Sequence, residues 1–353
     1  MNNSPRRSIT PALLHEASAR RLYRRAMATG QITLPAVPSM IDEYVSMCEA
    51  VFADLGVRFN TTDLAHLRTV LEGELTDAYA ASPRSSIVIS YDRPVGMSLN
   101  YNVRAEWQTL ADYYEALATV RQPPLFGFEP DARVWALSWE VADPRTHRVL
   151  DVGAGTGRNA LPLARRGHPV DAVEMTPCFA ETIRADAAQE GLDVRVIERD
   201  VFAATDELRW DYQMIVLSQV VSDFRTTRQL RSMFELAARC LAPGGRLVFN
   251  AFLARDGYTP DDATRELGQQ CCSTIFTWYE MTNAVALLPL NLIADDSVYD
   301  YESTYLPPGC WPPTYWYADW VSGLDVFDVE RDVCPIEMRW LVYEKPTWDG
   351  GHA

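Results

Sequence analysis

The stretch VLDVGAGTGRNALPLARRG, residues 149–167, joins a short apolar strand to an amphipathic helix through a glycine-rich turn. The strand ends at Asp151, the turn GAGTG follows, and the helix begins near Arg158. Glycine has no Cβ and tolerates positive φ, so such a turn lets a ligand approach the backbone, while the new helix offers unpaired N–H groups. We therefore expect a nucleotide or nucleoside above this strand end, in the crevice outside the carboxyl ends of a parallel sheet.

From Arg148 onward, short apolar strands alternate with amphipathic helices, which is typical of an α/β fold with helices on both faces of a parallel sheet. The predicted strands are, in order, RVLDVG, PVDAVE, VRVIERD, YQMIVLS, GRLVFNAF, LNLIADDSVYDY and PIEMRWLVYEK. This alternation predicts a doubly wound sheet as the frame of the second part of the chain.

The first part of the chain has a different pattern. Residues 1 to about 80 have apolar residues at helical spacing, as in MIDEYVSMCEAVFADLG and NTTDLAHLRTVLEGELTDAYA. SSIVISYD and GMSLNYNV then alternate with period two across a turn around Pro94 and Gly96, which predicts a β-hairpin. A further helix near AEWQTLADYYEALATV leads into the breaker PPLFGFEPD. We therefore predict a mainly helical cap with a hairpin over residues 1–125 and a ligand-binding domain over residues 126–353.

Composition argues against two classes of partner. The chain of 353 residues has a net charge of −16, which is not typical of proteins whose main ligand is a polyphosphate, so we expect no nucleic acid. No window approaches the run of about 18 to 20 uncharged apolar residues that spans a membrane, so we expect no membrane partner. The twin arginine in MNNSPRRSIT is not followed by an apolar segment of signal-peptide length, which predicts a cytoplasmic location.

The cysteines and histidines do not form a metal-binding pattern. The seven cysteines lack C-x-x-C spacing, and the five histidines are scattered along the chain. We therefore expect reduced structural thiols and no metal site.

The spacing of the glycines helps to identify the nucleotide. A dinucleotide-binding turn has the pattern G-x-G-x-x-G, which packs the strand and helix tightly around a pyrophosphate. Here the glycines are Gly153, Gly155 and Gly157, and the position of the third expected glycine is Arg158. This departure argues against an NAD-dependent oxidoreductase.

Acidic residues follow the next two strands. Glu174 ends the second predicted strand, where a carboxylate can accept both hydroxyls of a ribose. Asp200 ends the third and can accept from an adenine amino group, with Val201 and Phe202 against the ring. Each also has a purely structural interpretation, since Asp151 or Asp200 can cap a turn and Glu174 can be a surface residue.

With these features in order, the sequence resembles the class I S-adenosylmethionine-dependent methyltransferases over about residues 125–253. PIEMRWLVYEK resembles the antiparallel seventh strand of that family, so the resemblance implies a Rossmann-like sheet of seven strands. It also implies S-adenosylmethionine as cofactor and S-adenosylhomocysteine as product. The matched residues are Asp151, Gly153, Ala154, Gly155 and Thr156 for the methionine part, Glu174 for the ribose, Asp200, Val201 and Phe202 for the adenine, and Ser218 and Gln219 over the centre of the crevice. Met175, which follows Glu174, is also expected to contact the cofactor. An N-P-P-Y-type tetrapeptide, the family's DNA-methylating signature, is absent after the fourth strand, which agrees with the expectation of no nucleic acid.

The acceptor and the catalytic group are less defined. Gln219, Asp223 and Asn250 are placed by position near the acceptor, although the role of a helix N-cap suits Asp223 better than that of a base. We expect methyl transfer to a small molecule, aromatic or amino-acid-like and of specialised biosynthesis, or to a short peptide. The alternatives are a non-catalytic S-adenosylmethionine-binding or scaffold module and, less favoured, an NAD-dependent oxidoreductase. The first 125 residues either cap the substrate pocket or form a homodimer interface.

An aromatic segment, CWPPTYWYADWVSG at residues 310–323, connects the last two predicted strands. Its rings suit stacking or cation–π contact with a planar or cationic acceptor, but tryptophans also serve as core residues. We expect the segment as a whole to pack in the core, with at least one ring lining the pocket. The candidate acceptor-binding rings are Trp311, Tyr315, Trp316, Tyr317 and Trp320, together with Tyr101 on the hairpin; Phe126 and Phe128 could also reach the site, although packing roles suit them better.

Overall fold

The computed structural model describes residues 9–23, 27–93 and 98–347. The chain divides into two compact units, Met1–Thr109 and Leu110–Ala353. The division lies earlier than the predicted boundary at 125, because the helix Leu110–Val120 belongs to the second unit. There, Tyr114 donates a hydrogen bond of 2.6 Å to the carboxylate of Asp223.

The first unit combines three helices with a three-stranded antiparallel sheet. Its elements are α1 (Pro11–Tyr23), β1 (Ala28–Pro35), α2 (Ile41–Asp54), α3 (Thr61–Ala81), β2 (Ser86–Arg93) and β3 (Asn100–Glu106). The predicted hairpin strands are β2 and β3, which pair antiparallel, and β1 pairs with the other edge of β2. The turn predicted around Pro94 and Gly96 lies outside the described residues.

The strand β1 corrects the prediction of helices alone for residues 1–80. Its sequence, ATGQITLP, has only two large apolar side chains, and none of its residues is fully buried. The strand is fixed by its backbone pairing with β2, in which Ile32 is opposite Ile89. Such a strand leaves little period-two signal in the sequence, because pairing with a neighbour rather than burial stabilises it.

The helix α3 shows why the local helix prediction succeeds. Asn60 caps it, accepting hydrogen bonds at Oδ1 from the N–H groups of Thr62 and Asp63, while the Asp63 carboxylate accepts from the Asn60 N–H. This capping box fixes the start of the helix at Thr61. The buried face is Leu67, Leu71, Leu75 and Ala78, a helical spacing that supports the sheet.

The second unit carries the α/β pattern. Its helices are α4 (Leu110–Val120), α5 (Ala132–Trp139), α6 (Ala160–Arg166), α7 (Pro177–Glu190), α8 (Thr227–Cys240), α9 (Asp262–Gln270), α10 (Trp278–Val285), α11 (Val298–Tyr305) and α12 (Tyr317–Val321). Its strands are β4 (Val149–Val152), β5 (Val170–Val173), β6 (Val194–Ile197), β7 (Tyr212–Leu217), β8 (Leu241–Ala254), β9 (Ile275–Phe276), β10 (Asn291–Ser297) and β11 (Ile336–Glu344).

These strands form one sheet in the order β10-β11-β8-β7-β4-β5-β6, with the short β9 pairing beside β8. All pairs from β8 to β6 are parallel, whereas β11 is antiparallel to both β8 and β10. The α/β fold and the antiparallel last strand are therefore confirmed. The strand order reverses direction at β4, which pairs with β5 on one side and β7 on the other, so the carboxyl end of β4 is a topological switch point.

Two apolar layers cover the faces of this sheet. One layer packs α8 and α10 on the sheet, and the other packs α5, α6 and α12. Every residue of β4 and β5 is buried, as expected for central parallel strands covered on both faces. Fully burying one large apolar side chain contributes about 1.5–3 kcal/mol, so the many that pack here hold the central strand ends in fixed positions. Within the described ranges, no helix is long and apolar enough to cross a membrane.

Candidate functional site

A cavity lies at the carboxyl ends of β4, β5 and β7 in the second unit. Most of the residues predicted to bind the cofactor line it: Asp151, Gly153, Ala154, Gly155, Glu174, Met175, Asp200, Val201, Phe202, Ser218 and Gln219. Thr156 belongs to the same turn but is not part of the lining. The candidate Asp223 also lines the cavity, together with the aromatic residues Tyr114, Phe126, Phe179 and Phe224.

The glycine turn adopts a conformation that favours glycine at all three positions. Gly153, Gly155 and Gly157 have φ values of +63°, +56° and +86°. A Cβ at Gly153 would lie 2.5 Å from Val220, and one at Gly157 would lie 2.8 Å from Leu161. The first and third glycines are therefore required by close packing, whereas Gly155 keeps the turn open toward the cavity.

Glu174 holds this turn from the neighbouring strand end. Its carboxylate is buried and accepts a 2.8 Å hydrogen bond from the N–H of Gly155 and a 2.7 Å hydrogen bond from that of Thr176. Burial raises the pKa of Glu174 above its ordinary value, although these hydrogen bonds act in the opposite direction. Each carboxylate oxygen keeps a further lone pair, so Glu174 can fasten the turn and still accept from hydroxyl groups of a ligand.

Asp151 is the most unusual carboxyl group of the site. It is 2% exposed, and its Oδ2 atom has no hydrogen-bond partner among the described residues. Burial, together with the negative charge of Asp131, raises the pKa of Asp151 to about 7, against the opposing effect of Arg158. A buried acceptor without a partner is rare in native structures and indicates that a ligand donates to it.

Asp200 has both of the interpretations that the sequence left open. Its Oδ1 atom accepts from the N–H groups of Phe202, at 2.8 Å, and Ala203, at 3.2 Å, so it caps the turn after β6. The residue is exposed and also lines the cavity. Phe202 packs against Phe224 with ring centroids 5.8 Å apart, which gives this side of the cavity an apolar wall.

Gln219 follows β7 in a left-handed conformation, with φ of +60°, which is uncommon for a residue other than glycine. Its backbone N–H donates a 2.7 Å hydrogen bond to the Oδ1 atom of Asn250. The Nε2 atom of Gln219 is buried and, in the part of the chain that the structure describes, has no acceptor. Asn250 is fully buried and does not line the cavity, so it supports Gln219 from below.

A buried ion pair beneath the cavity was missed by the sequence analysis. The guanidinium of Arg158 donates to both oxygens of Asp131, at 2.6 Å and 3.0 Å, and Asp131 also accepts from Asn159 and Ser218. Both ion-pair side chains are almost fully buried, at 8% and 2% exposed. Asp131 lies 27 positions before Arg158, so no local spacing in the sequence could reveal the pair.

Tyr114 is another functional candidate that the sequence analysis missed. Its hydroxyl donates a hydrogen bond to Asp223, and its ring packs edge-on against Phe179 with ring centroids 6.3 Å apart. Phe126 also packs edge-on against Phe179, with ring centroids 5.7 Å apart, and lies beside Gly155. Asp223 therefore lies beside the aromatic residues of the cavity wall.

The aromatic segment 310–323 packs in the core, and none of its rings lines the cavity formed by the described residues of the second unit. Trp320 is 5% exposed, packs edge-on against Phe252 and donates a hydrogen bond to the carbonyl of Cys272. Tyr317 is also buried, Trp311 and Trp316 pack against the same core, and Tyr315 is 89% exposed. The expectation that one ring would line the pocket differs from the structure, because α12 turns these rings toward β8 and β11.

The same segment nevertheless supports the cavity wall indirectly. Gly127 has φ of +97°, and a Cβ there would lie 2.8 Å from that of Pro313, so the chain before Phe128 packs directly on the segment. The guanidinium of Arg121 lies over the ring of Trp316 at 5.1 Å. These contacts fix the chain that carries Phe126 into the cavity, whereas Phe128 itself is 81% exposed.

The remaining candidate, Tyr101, belongs to the first unit. It lies on β3 and packs with Phe52 and Phe59, each at a centroid distance of 5.9 Å. Burial raises the pKa of its hydroxyl above the ordinary value. Across the described ranges, no group of three or more His, Cys, Asp or Glu side chains could hold a metal ion.

Comparison with known proteins finds similarity over part of the chain. Residues 149–245 match a family model described as a methyltransferase domain. An uncharacterized methyltransferase of Mycobacterium bovis is 31% identical over 144 residues, which are 40% of this chain and 51% of that protein. A protein of Salinispora arenicola described as a probable nonribosomal peptide synthetase is 32% identical over 113 residues, which are 31% of this chain and 1% of that protein.

Among solved structures, a geranyl diphosphate C-methyltransferase from Streptomyces coelicolor A3(2) aligns with a TM-score of 0.46 and 15% identity, over 66% of this chain and 98% of that one. The chain spans about half of the length of the Mycobacterium bovis relative and 1% of that of the Salinispora arenicola protein. The matched residues lie in the second unit, so this part of the chain is similar to a methyltransferase domain. S-adenosylmethionine is the methyl donor of this family.

Proposed function

We propose that this protein binds S-adenosylmethionine in the cavity of the second unit and transfers its methyl group to a small molecule or a short peptide. One observation supports this proposal above the others. The cavity collects the glycine turn and the three strand-end carboxylates, while Asp151 Oδ2 and Gln219 Nε2 are buried in the described structure without partners.

The residues of the cavity fit the parts of the methyl donor. Asp151 would accept from the ammonium of the methionine part, and Glu174 would accept from the ribose hydroxyls. Asp200 would accept from the adenine amino group, with Val201 and Phe202 against the ring. When bound, S-adenosylmethionine supplies a methyl group activated by a sulfonium charge.

The protein contributes positioning and a largely apolar wall. Because the charge of the sulfonium is dissipated during transfer, an aligned pocket that excludes water can supply much of the acceleration. The rings of Tyr114, Phe126, Phe179 and Phe224 serve this purpose. A general base is needed only where the acceptor loses a proton, and Asp223, held by Tyr114, is the carboxylate in place for it.

The acceptor is inferred from chemistry and from one relative. An aromatic wall beside Asp223, the carboxylate that the methyl donor would leave free for the acceptor, suits an aromatic or amino-acid-like acceptor. The similarity of about a third of the chain to part of a peptide synthetase agrees with an amino-acid-like or peptide acceptor from a biosynthetic pathway. The strongly acidic chain argues against nucleic acid. A cytoplasmic location and a homodimer stay predictions of the sequence.

A transfer assay tests the proposal. Purified full-length protein, S-adenosylmethionine with a labelled methyl group, and a panel of phenols, amines, amino acids and short peptides should yield a labelled product with at least one acceptor. Glu174→Ala should abolish the product, while Glu190→Ala, which removes an exposed carboxylate paired with Arg165, should leave it unchanged. Binding of the donor without turnover across the whole panel would favour a non-catalytic binding module instead.

A further inference from the structure

A second cavity in the second unit lies between the start of α8, the helix α9 and the strand β9. It shares one stretch of chain with the donor cavity. Asp223, Phe224 and Gln229 line the donor cavity, whereas three of the four residues between Phe224 and Gln229, namely Arg225, Thr226 and Thr227, line the second cavity. The two cavities are therefore adjacent but have separate linings.

The walls of the second cavity present hydrogen-bond donors. Arg225 and Arg265 both line it, and so does the first turn of α8, a helix of 14 residues. Thr226 caps that helix by accepting from the N–H of Gln229. First-turn N–H groups lack acceptors within their own helix, and the helix dipole favours negative charge at this end.

Thr274 provides an independent indication of a ligand. It is only 5% exposed and lines the same cavity. Its backbone N–H donates to the carbonyl of Ser222 at 3.0 Å, but its Oγ1 hydroxyl has no partner in the described ranges. A buried hydroxyl without a partner is unfavourable, and a bound acceptor would remove that cost.

The charges of the cavity favour an anion. Glu280 is its one acidic lining residue, and the Glu280 carboxylate already accepts from the N–H and hydroxyl of Thr277 and pairs with Arg265 at 3.2 Å. Both basic residues of the lining, Arg225 and Arg265, are arginines. An arginine has five N–H donors, so one that already has a partner can still donate to a second acceptor.

We propose that this second cavity binds an oxyanion, either as a free ion such as phosphate or as a phosphate group carried by a larger molecule. Arg225, Thr274 and the first turn of α8 supply the donors, and Arg265 adds positive charge. This site is separate from the methyl-donor site and does not depend on the function proposed for it.

Thermal unfolding of the full chain tests this proposal, with inorganic phosphate titrated at constant ionic strength in sodium chloride. A specific site raises the melting temperature in a saturable way, because the ligand binds the folded state. Thr274→Val keeps the shape but removes the hydroxyl, and should weaken phosphate binding by about fivefold or more. Arg225→Gln should weaken it by about tenfold.

The matched control is Thr314→Val, which removes another buried hydroxyl that has no partner among the described residues and lies outside this cavity. It should bind phosphate like the wild type. A wild-type response that does not saturate, or the same dissociation constant for wild type and Thr274→Val, would overturn the proposal.

Two further measurements identify the source of the anion and show whether the two sites are separate. Tighter binding of a phosphomonoester than of inorganic phosphate identifies a larger molecule as the source of the anion, and the reverse identifies the free ion. S-adenosylhomocysteine binding should be unchanged in Thr274→Val; an equal loss of both ligands would contradict a separate site. Phosphate binding in a protein that does not bind S-adenosylhomocysteine would leave this proposal standing and remove the proposed function.

Discussion

Asp151 combines the burial of a core residue with the chemistry of a binding residue. In the ligand-free protein, burial raises its pKa to about 7, so the folded state holds a proton that the unfolded state releases near the ordinary value of 3.8. The contribution of Asp151 to stability is therefore present below about pH 4 and is lost as the pH rises through about 7. A cationic ligand favours the ionised form of Asp151 instead, because its positive charge pairs with the carboxylate.

Binding of the methyl donor should therefore depend on pH, because the ligand pairs with the ionised form of Asp151. As the pH rises from about 6 to about 8, Asp151 ionises, and the affinity for S-adenosylhomocysteine should increase by about tenfold before levelling off. Calorimetric titration across this range measures the effect. Asp151→Asn should bind more weakly and with little pH dependence; a slope equal to that of the wild type would exclude Asp151 as the group responsible.

Asn250 acts on the site through Gln219. Asn250→Ala removes the acceptor for the Gln219 N–H, which helps to hold Gln219 in its left-handed conformation. The free energy of unfolding should therefore fall by about 1–3 kcal/mol, and the affinity for S-adenosylhomocysteine should drop. Denaturant unfolding and calorimetry measure the two effects. Adding Gln219→Gly should recover part of the stability, because glycine tolerates this φ. No recovery would show that backbone strain is not the cause.

At the scale of single residues, the sequence predicts the binding candidates that lie at or near the carboxyl ends of parallel strands. Asp151, Glu174 and Asp200 are recognisable because the end of each parallel strand opens at the same edge of the sheet. Asp131 and Tyr114 could not be found this way. Their partners are 27 and 109 positions away, and only the packing of the intervening elements brings them together.

Among the elements, the aromatic segment 310–323 shows the limit of composition as a guide. Its rings suit a binding wall and a core equally well, and the choice depends on which way α12 faces. The structure turns Tyr317 and Trp320 into the layer beneath β8 and β11. The short helix is fixed by that burial, and the sequence contains no separate signal for its direction. In the same way, β1 depends on its pairing with β2 more than on any pattern of its own.

Trp320→Ala should therefore act on stability and not on binding. Removing this buried ring should lower the free energy of unfolding by about 3–5 kcal/mol, while the affinity of the folded protein for S-adenosylhomocysteine stays close to that of the wild type. Tyr315→Ala is the matched control, because that ring is 89% exposed and its loss should change stability by less than about 0.5 kcal/mol. Lost affinity with unchanged stability in Trp320→Ala would instead make the ring part of the site.

For the whole molecule, the alternation of strands and helices was enough to predict an α/β sheet, whereas the antiparallel last strand was implied by the resemblance to the methyltransferase family. The boundary between the units was harder to predict from the sequence, because α4 has the same amphipathic pattern whichever unit it belongs to. Contacts such as the hydrogen bond from Tyr114 to Asp223 assign it to the second unit. The roles predicted for the first unit, a substrate cap or a homodimer interface, stay predictions.

The central claim is that the cavity at the ends of β4, β5 and β7 binds the methyl donor. Isothermal titration of the full chain with S-adenosylhomocysteine and, separately, with NAD tests it most directly. We expect one molecule of S-adenosylhomocysteine per chain, displaced by S-adenosylmethionine and weakened by Asp151→Asn, and no heat of binding with NAD. Binding of NAD, or no binding of S-adenosylhomocysteine by the folded protein, would contradict the account.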